Sequence, residues 1–183
     1  RYGNRDSVLM WELGNELNLL VNLPPKFCGG KQCFNTAHMI QYNKALVDAI
    51  REAEPRDRPP RPISSGYSAP RPTAWHQEHC PLSSKTNCKA DPGTGYWSQD
   101  TLEQRLEMLQ LQNTGAEVWS MHMYDNPLGT RNTSFLASAS ALAKKSSAVI
   151  FVGEYGGYGP NFTGPSAESR RFPSLVLDQQ VKD

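Results

Sequence analysis

Ser7-Val-Leu-Met-Trp-Glu-Leu-Gly-Asn-Glu-Leu-Asn18 decides how this chain is read. It opens on a short apolar run, Val8-Leu9-Met10-Trp11, of the kind a buried parallel strand needs. It closes on Gly14-Asn15-Glu16. A carboxylate at the tip of a buried strand is costly unless it is hydrogen-bonded or does chemistry. Alone, an Asn-Glu pair reads as a solvated strand end. A second stretch, Val149-Ile-Phe-Val-Gly-Glu-Tyr-Gly-Gly157, shifts the balance. It repeats the grammar: an apolar run, then Glu154 in a glycine-rich turn. Two strands that each deliver a Glu at their C-terminal end point to a carboxylate pair facing one cleft.

Composition narrows the classes. The chain has 183 residues, enough for a single domain over 1–183 with a real core. Its net charge is +1 and it has no basic run beyond the scattered charge of the proline-rich residues 56–61. Neither nucleic acid nor an anionic membrane is indicated as a partner. The apolar runs are too short to span a bilayer. No secretory signal is visible at Arg1.

The four cysteines, Cys28, Cys33, Cys80 and Cys88, lie in Gly/Pro/Ser-rich stretches, and no Cys-x-x-Cys occurs. Metal is therefore not expected, and two disulfides are. Local pairs, Cys28–Cys33 and Cys80–Cys88, are one connectivity. A cross-link between the two loops, such as Cys28 to Cys88, is another. Sequons at Asn132 and Asn161 agree with the cysteines in favouring a secreted, extracellular or lumenal protein.

Taken in order, residues 8–11 form the first expected strand and residues 17–35 a long loop. Asn35-Thr36 can cap a helix. Met39, Tyr42, Leu46, Ala49, Ile50 and Ala53 recur at helical spacing up to Glu54, and Pro55 ends the helix. A short second strand is expected at 63–66. A long irregular loop follows over 67–96, whose Trp75, His76 and His79 fit a lid or cleft wall as well as surface decoration. The next helix is expected over 99–113, with Leu102, Leu106 and Leu109 on one face and Gly115 as its cap. The third strand, 117–124, delivers His122 and Tyr124 on one face near its end. A helix over 134–145, a fourth strand over 149–152 and a helical tail over 166–183 complete the chain.

Strand and helix alternate four times, and each strand ends in polar residues. That pattern predicts an α/β fold with a parallel sheet. Ligand sites in such folds sit at the C-terminal strand ends. Asn15, Glu16, His122, Tyr124 and Glu154 all fall there.

Together these residues carry a resemblance. Trp11-Glu-Leu-Gly-Asn-Glu16 is similar to the Asn-Glu motif closing the fourth strand of clan A glycoside hydrolases. Ser120-Met-His-Met-Tyr124 resembles the His-x-Tyr of the sixth strand, and Phe151-Val-Gly-Glu-Tyr-Gly156 the nucleophile motif of the seventh. Order and spacing match glycoside hydrolase family 5, the cellulase and mannanase family. The resemblance implies a (β/α)8 TIM barrel of which this chain holds only the fourth to seventh βα units. The remaining strands would come from the same protein or from another chain.

It also implies a retaining β-glycosidase acting on a β-linked polysaccharide, with no cofactor. Glu16 would be the general acid/base and Glu154 the nucleophile. Asn15 would hold the sugar's 2-hydroxyl, Tyr124 would bond Glu154, and His122 would line the site. Of the four tryptophans, Trp97 and Trp75 are the better sugar platforms, and Trp11 and Trp119 read as core. The alternative is a non-catalytic carbohydrate-binding or structural glycoprotein that keeps the barrel.

Overall fold

In the computed structural model, residues 7–125 and 133–157 are described. The expected helical tail and the sequons at Asn132 and Asn161 lie outside them. Four strands form one parallel sheet in the order β1 (Trp11–Glu12), β2 (Ile63–Ser64), β3 (Val118–Asp125), β4 (Val149–Gly157). Helices cross between them: α1 (Thr36–Ala53), then α2 (Ala74–His79) and α3 (Leu102–Gln112), then α4 (Thr133–Lys145). Sequential parallel neighbours joined by helical crossovers are the repeating unit of a βα barrel.

β1 starts later than its apolar run predicted. Pairing begins at Trp11, whose N–H donates to the Pro62 carbonyl at 3.0 Å. The residues before it face the proline-rich approach to β2, which offers few donors, and Leu9 is 82% exposed. β4 runs beyond Val152 because β3 pairs with it along its whole length.

Helix starts follow side-chain caps. Asn35 accepts the His38 N–H at 2.8 Å at the head of α1. Thr101 and Gln104 form a reciprocal capping box that starts α3 at Leu102. α3 ends at Asn113 as its cap, two residues before Gly115. The fully buried residues of α1 are Thr36, Met39 and Asn43: Met39 lies inside as expected, but Asn43 takes the place expected of Tyr42, which is exposed. The cause is Asn43. Its amide donates to the carbonyls of Gln112 (3.3 Å) and Thr114 (3.4 Å) and it accepts the Tyr67 hydroxyl. A satisfied amide can go inside, and it turns the helix with it. Burial pushes the Tyr67 phenol up to about 12, so it remains a donor.

α2 lies within the loop expected to be irregular. It is too short for a periodic signal, and its first turn is satisfied from a distance. Asp100 accepts the N–H groups of Trp75 (2.8 Å) and His76 (3.2 Å). The His76 ring, 1% exposed, bridges Asp100 (2.6 Å) and Asp91 (3.2 Å). Cystines close both long loops, Cys28–Cys33 and Cys80–Cys88, with Cα–Cα separations of 5.5 and 5.1 Å.

The main core packs α4 and α3 on one face of β3 and β4. It holds Leu109, Trp119, Met121, Phe135, Leu136 and Val152. Burying side chains of this size contributes roughly 1.5–3 kcal/mol each. The other face of β3 carries Ser120 and His122, both buried.

A charged cluster ties the N-terminal strand ends. Glu54 accepts the Trp11 indole N–H (3.0 Å), the Arg61 N–H (3.1 Å) and the Arg51 guanidinium (2.7 Å), and Arg51 also grips Glu117 at 2.6 Å. Burial alone would raise the Glu54 carboxyl, but these hydrogen bonds outweigh it and hold the pKa below the ordinary value. A lowered folded-state pKa gives stability that is complete above the unfolded value, about 4.3 for Glu. That stability is lost as pH falls through the lower folded value. The urea midpoint should therefore drop on acidification below about pH 4. Glu54→Gln should be less stable at neutral pH and should flatten that acid limb. An unchanged limb in the variant would remove Glu54 from the explanation.

Candidate active site

The site lies at the C-terminal ends of the strands. Glu16 follows β1 by a short turn and adopts a left-handed backbone, φ 53°, ψ 27°. Non-glycine residues rarely do so, and such positions cluster at functional sites. The conformation is held from two sides. The Glu16 N–H donates to the Gly66 carbonyl at 2.8 Å, and its own carbonyl accepts the Leu19 N–H at 3.0 Å.

Behind Glu16 the chain makes a 3-10 turn over Leu17–Leu20. Arg71 clamps this turn. Its guanidinium donates to the carbonyls of Leu19, Asn18 (3.4 Å) and Val21 (2.6 Å), and to the Gln77 side chain. Asn18, buried in the same turn, donates to the Ser68 carbonyl (2.8 Å) and Gln112 (3.0 Å), and accepts the Ser68 N–H (3.0 Å). Residues 66–69 then reach across to β3. The His122 N–H donates to the Tyr67 carbonyl at 3.2 Å, and the His122 carbonyl accepts from Ala69 N–H and Ser68 hydroxyl. One short segment thus fixes the backbones of both Glu16 and His122.

Glu154 is aimed by a β-bulge. Val118 to Met121 pair with Val149 to Val152 in register, but His122 pairs with Glu154, which leaves Gly153 as the extra residue. A Cβ on Gly153 would lie 3.0 Å from His122 Nε2, so a small residue keeps the ring in place. Bulges commonly re-aim side chains beside functional sites.

The result is one imidazole between two carboxylates. His122 Nδ1 is 3.1 Å from Glu16 Oε1 and 3.6 Å from Glu154 Oε1. The three donor atoms lie within 4.8 Å of one another. The His122 side chain is 2% exposed, while Glu16 is 27% and Glu154 41% exposed. A buried imidazole thus orients two carboxylates that solvent or a ligand can reach.

The other expected site residues divide. Asn15 is exposed beside Glu16. The Tyr124 side chain lies outside the described residues. Trp97, 52% exposed, stands edge-on to Tyr96 and is open to a ligand. Trp75 is not, which corrects its reading as a sugar platform. It is buried with Ala74 and Met108, its ring stacks on His79 at 4.2 Å, and its indole donates to Glu107. His76 and His79 hold α2 in place. Trp11 donates to Glu54 among the charged groups at the strands' N-terminal ends, and Trp119 is core.

Asn18, Arg71 and Gly66 support the site without a motif to announce them. Only Gly66 left a signal, as the glycine inside the short strand expected at 63–66, a placement that often marks close backbone approach. An apolar groove lined by Leu17, Leu20, Val21, Phe34, Met39 and Tyr42 runs between the Glu16 turn and α1. Among the described residues no helix is long and apolar enough to cross a membrane.

No protein-family model and no curated protein matches the chain. Two solved structures are similar. One is a hyperthermostable endo-1,4-beta-D-mannanase from Thermotoga petrophila RKU-1, at 16% identity and a TM-score of 0.52 over 98% of this chain and 45% of that one. The other is an endo-beta-1,4-mannanase from Thermotoga petrophila, at 16% identity and a TM-score of 0.49 over 98% of this chain and 34% of that one. This chain spans less than half the length of either. At such identity the first likeness establishes a shared α/β fold, with this parallel sheet corresponding to part of a larger structure.

Proposed function

We propose that this chain is the catalytic part of a retaining β-glycosidase, and that it supplies the fourth to seventh βα units of a barrel acting on a β-linked polysaccharide of the cellulose or mannan kind. One observation carries the reading. Two strand-end carboxylates converge on one buried imidazole, with donor atoms within 4.8 Å of one another. Retaining enzymes hold their carboxyl groups about 5–5.5 Å apart, and inverting ones about 6.5–9.5 Å, to leave room for water.

The roles follow from the surroundings. Glu16, in hydrogen-bond reach of His122 at 3.1 Å, is the acid that protonates the departing oxygen. Glu154, whose oxygen lies 3.6 Å from the same ring nitrogen and which is more exposed, attacks the anomeric carbon and forms a glycosyl ester. Glu16 then removes a proton from the water that releases the sugar. Asn15 binds the 2-hydroxyl, and Trp97 offers a stacking face. The two cystines and the fold agree with an exported protein.

The test uses the complete protein. Glu16→Ala should slow natural polysaccharides by about 100- to 10,000-fold, the usual worth of a general acid. It should spare the first step for aryl glycosides whose leaving group needs no proton. Added azide should then accelerate release and give a β-glycosyl azide of retained configuration. Absence of turnover on any glycoside by the wild-type protein, with oligosaccharide binding intact, would instead make it a carbohydrate-binding protein.

A further inference from the structure

We infer that Glu16, His122 and Glu154 also form a site for a transition-metal dication of the Zn2+ type, and that its occupancy shuts the site. The inhibitory consequence rests on the glycosidase reading above, whereas the binding itself does not. The donor set is one imidazole nitrogen and two carboxylate oxygens, a combination that suits Zn2+.

The geometry suits it as well. Tetrahedral zinc with bonds of about 2.0–2.1 Å places its ligand atoms about 3.3 Å apart. The two His122 separations, 3.1 and 3.6 Å, bracket that value. The third edge, between the carboxylates, is within 4.8 Å and closes by rotation about the outer bonds of side chains that are partly exposed. His122 is fixed by packing and by its backbone hydrogen bonds to residues 67–69, so the central ligand is preorganised. Glu16 and Glu154 reach solvent, which gives an entry path and leaves the fourth position to water. Three protein donors and one open position make a binding site that exchanges its ion, not a closed structural one. A hard cation such as Mg2+ prefers six oxygens and keeps its waters, so it should compete poorly.

A bound dication would hold both carboxylates at once. Glu16 could then neither give nor take a proton, and Glu154 could not attack. Inhibition should therefore be competitive with substrate and reversed by a chelator.

The experiment is calorimetric titration of ZnCl2 into the complete, metal-stripped protein, beside an activity assay. One saturable ion per chain is expected. Glu154→Gln and Glu16→Gln should each weaken binding more than about tenfold, since loss of even a residue that only supports a ligand costs about that much. His38→Gln should leave it unchanged, because His38 lines the apolar groove beside α1 and is no member of the cluster, and near-ultraviolet circular dichroism should show all three variants folded. Binding that is absent, or that survives both Glu substitutions, overturns the inference. Binding as expected with no effect of Zn2+ on a measurable turnover overturns its inhibitory half. If the protein turns over no glycoside, the glycosidase reading fails and calorimetry alone decides the metal site.

Discussion

Glu154→Ala in the complete protein should abolish turnover of every glycoside, good leaving group or poor, by about 100,000-fold or more, as removal of a covalent nucleophile does. No neighbour can replace it. His122 is held against both carboxylates through one ring nitrogen, and Glu16 is committed to the proton transfers. The loss should be chemical and not structural. Glu154 is 41% exposed and no part of the apolar core, so the unfolding free energy from urea denaturation should change by less than about 0.5 kcal/mol. Azide separates the two carboxylates by stereochemistry. In Glu154→Ala it can enter the vacated place and give an α-glycosyl azide of inverted configuration. In Glu16→Ala it intercepts the glycosyl ester and gives the β-anomer. The opposite pairing of products would exchange the two roles. Wild-type activity that survives Glu154→Ala would end the double-displacement reading.

The second large effect comes from a residue that touches no substrate. Gly66→Ala should cost more than about 3 kcal/mol and take the activity with it. Gly66 sits at φ +69°, and a Cβ there would lie 1.8 Å from the Gly14 carbonyl oxygen and 2.6 Å from Glu12 Cγ. Backbone cannot yield by that much without moving Gly14 to Glu16. Gly93 is the control. It has φ +90° but nothing within 4 Å of its notional Cβ, so alanine there should cost only the left-handed penalty, roughly 1–2 kcal/mol. Urea denaturation of both variants gives the comparison. If the two substitutions prove equally mild, close approach at Gly66 does not fix the Glu16 turn.

The difference between Gly66 and Gly93 shows where a sequence stops being informative. Both are glycines in polar surroundings, and only the chain packed against one of them makes it irreplaceable. Trp75 makes the same point. In sequence it is a loop tryptophan, open to a sugar. In the fold it is core, because Asp100, 25 residues further on, accepts its N–H and so caps the short helix that carries it. Asn43 reads as an exposed amide until Tyr67, Gln112 and Thr114 arrive to satisfy it.

By itself the sequence determined the α/β alternation, the parallel sense of the sheet, the extent of α1 and α4 to within a residue, and which polar residues stand at strand ends. These follow from local signals: apolar runs, helical spacing, caps and prolines read within a few positions of one another. Tertiary structure alone decided how Glu16, His122 and Glu154 meet. The left-handed turn at Glu16 depends on a carbonyl from Gly66, and the level of Glu154 depends on a bulge at Gly153 set by its partner strand. The physical reason is range. A carboxylate's residue type is written at one position, but its direction is fixed by backbone pairing with a neighbouring strand or its following loop, Gly66 for Glu16 and His122 for Glu154, a whole βα crossover away in the chain.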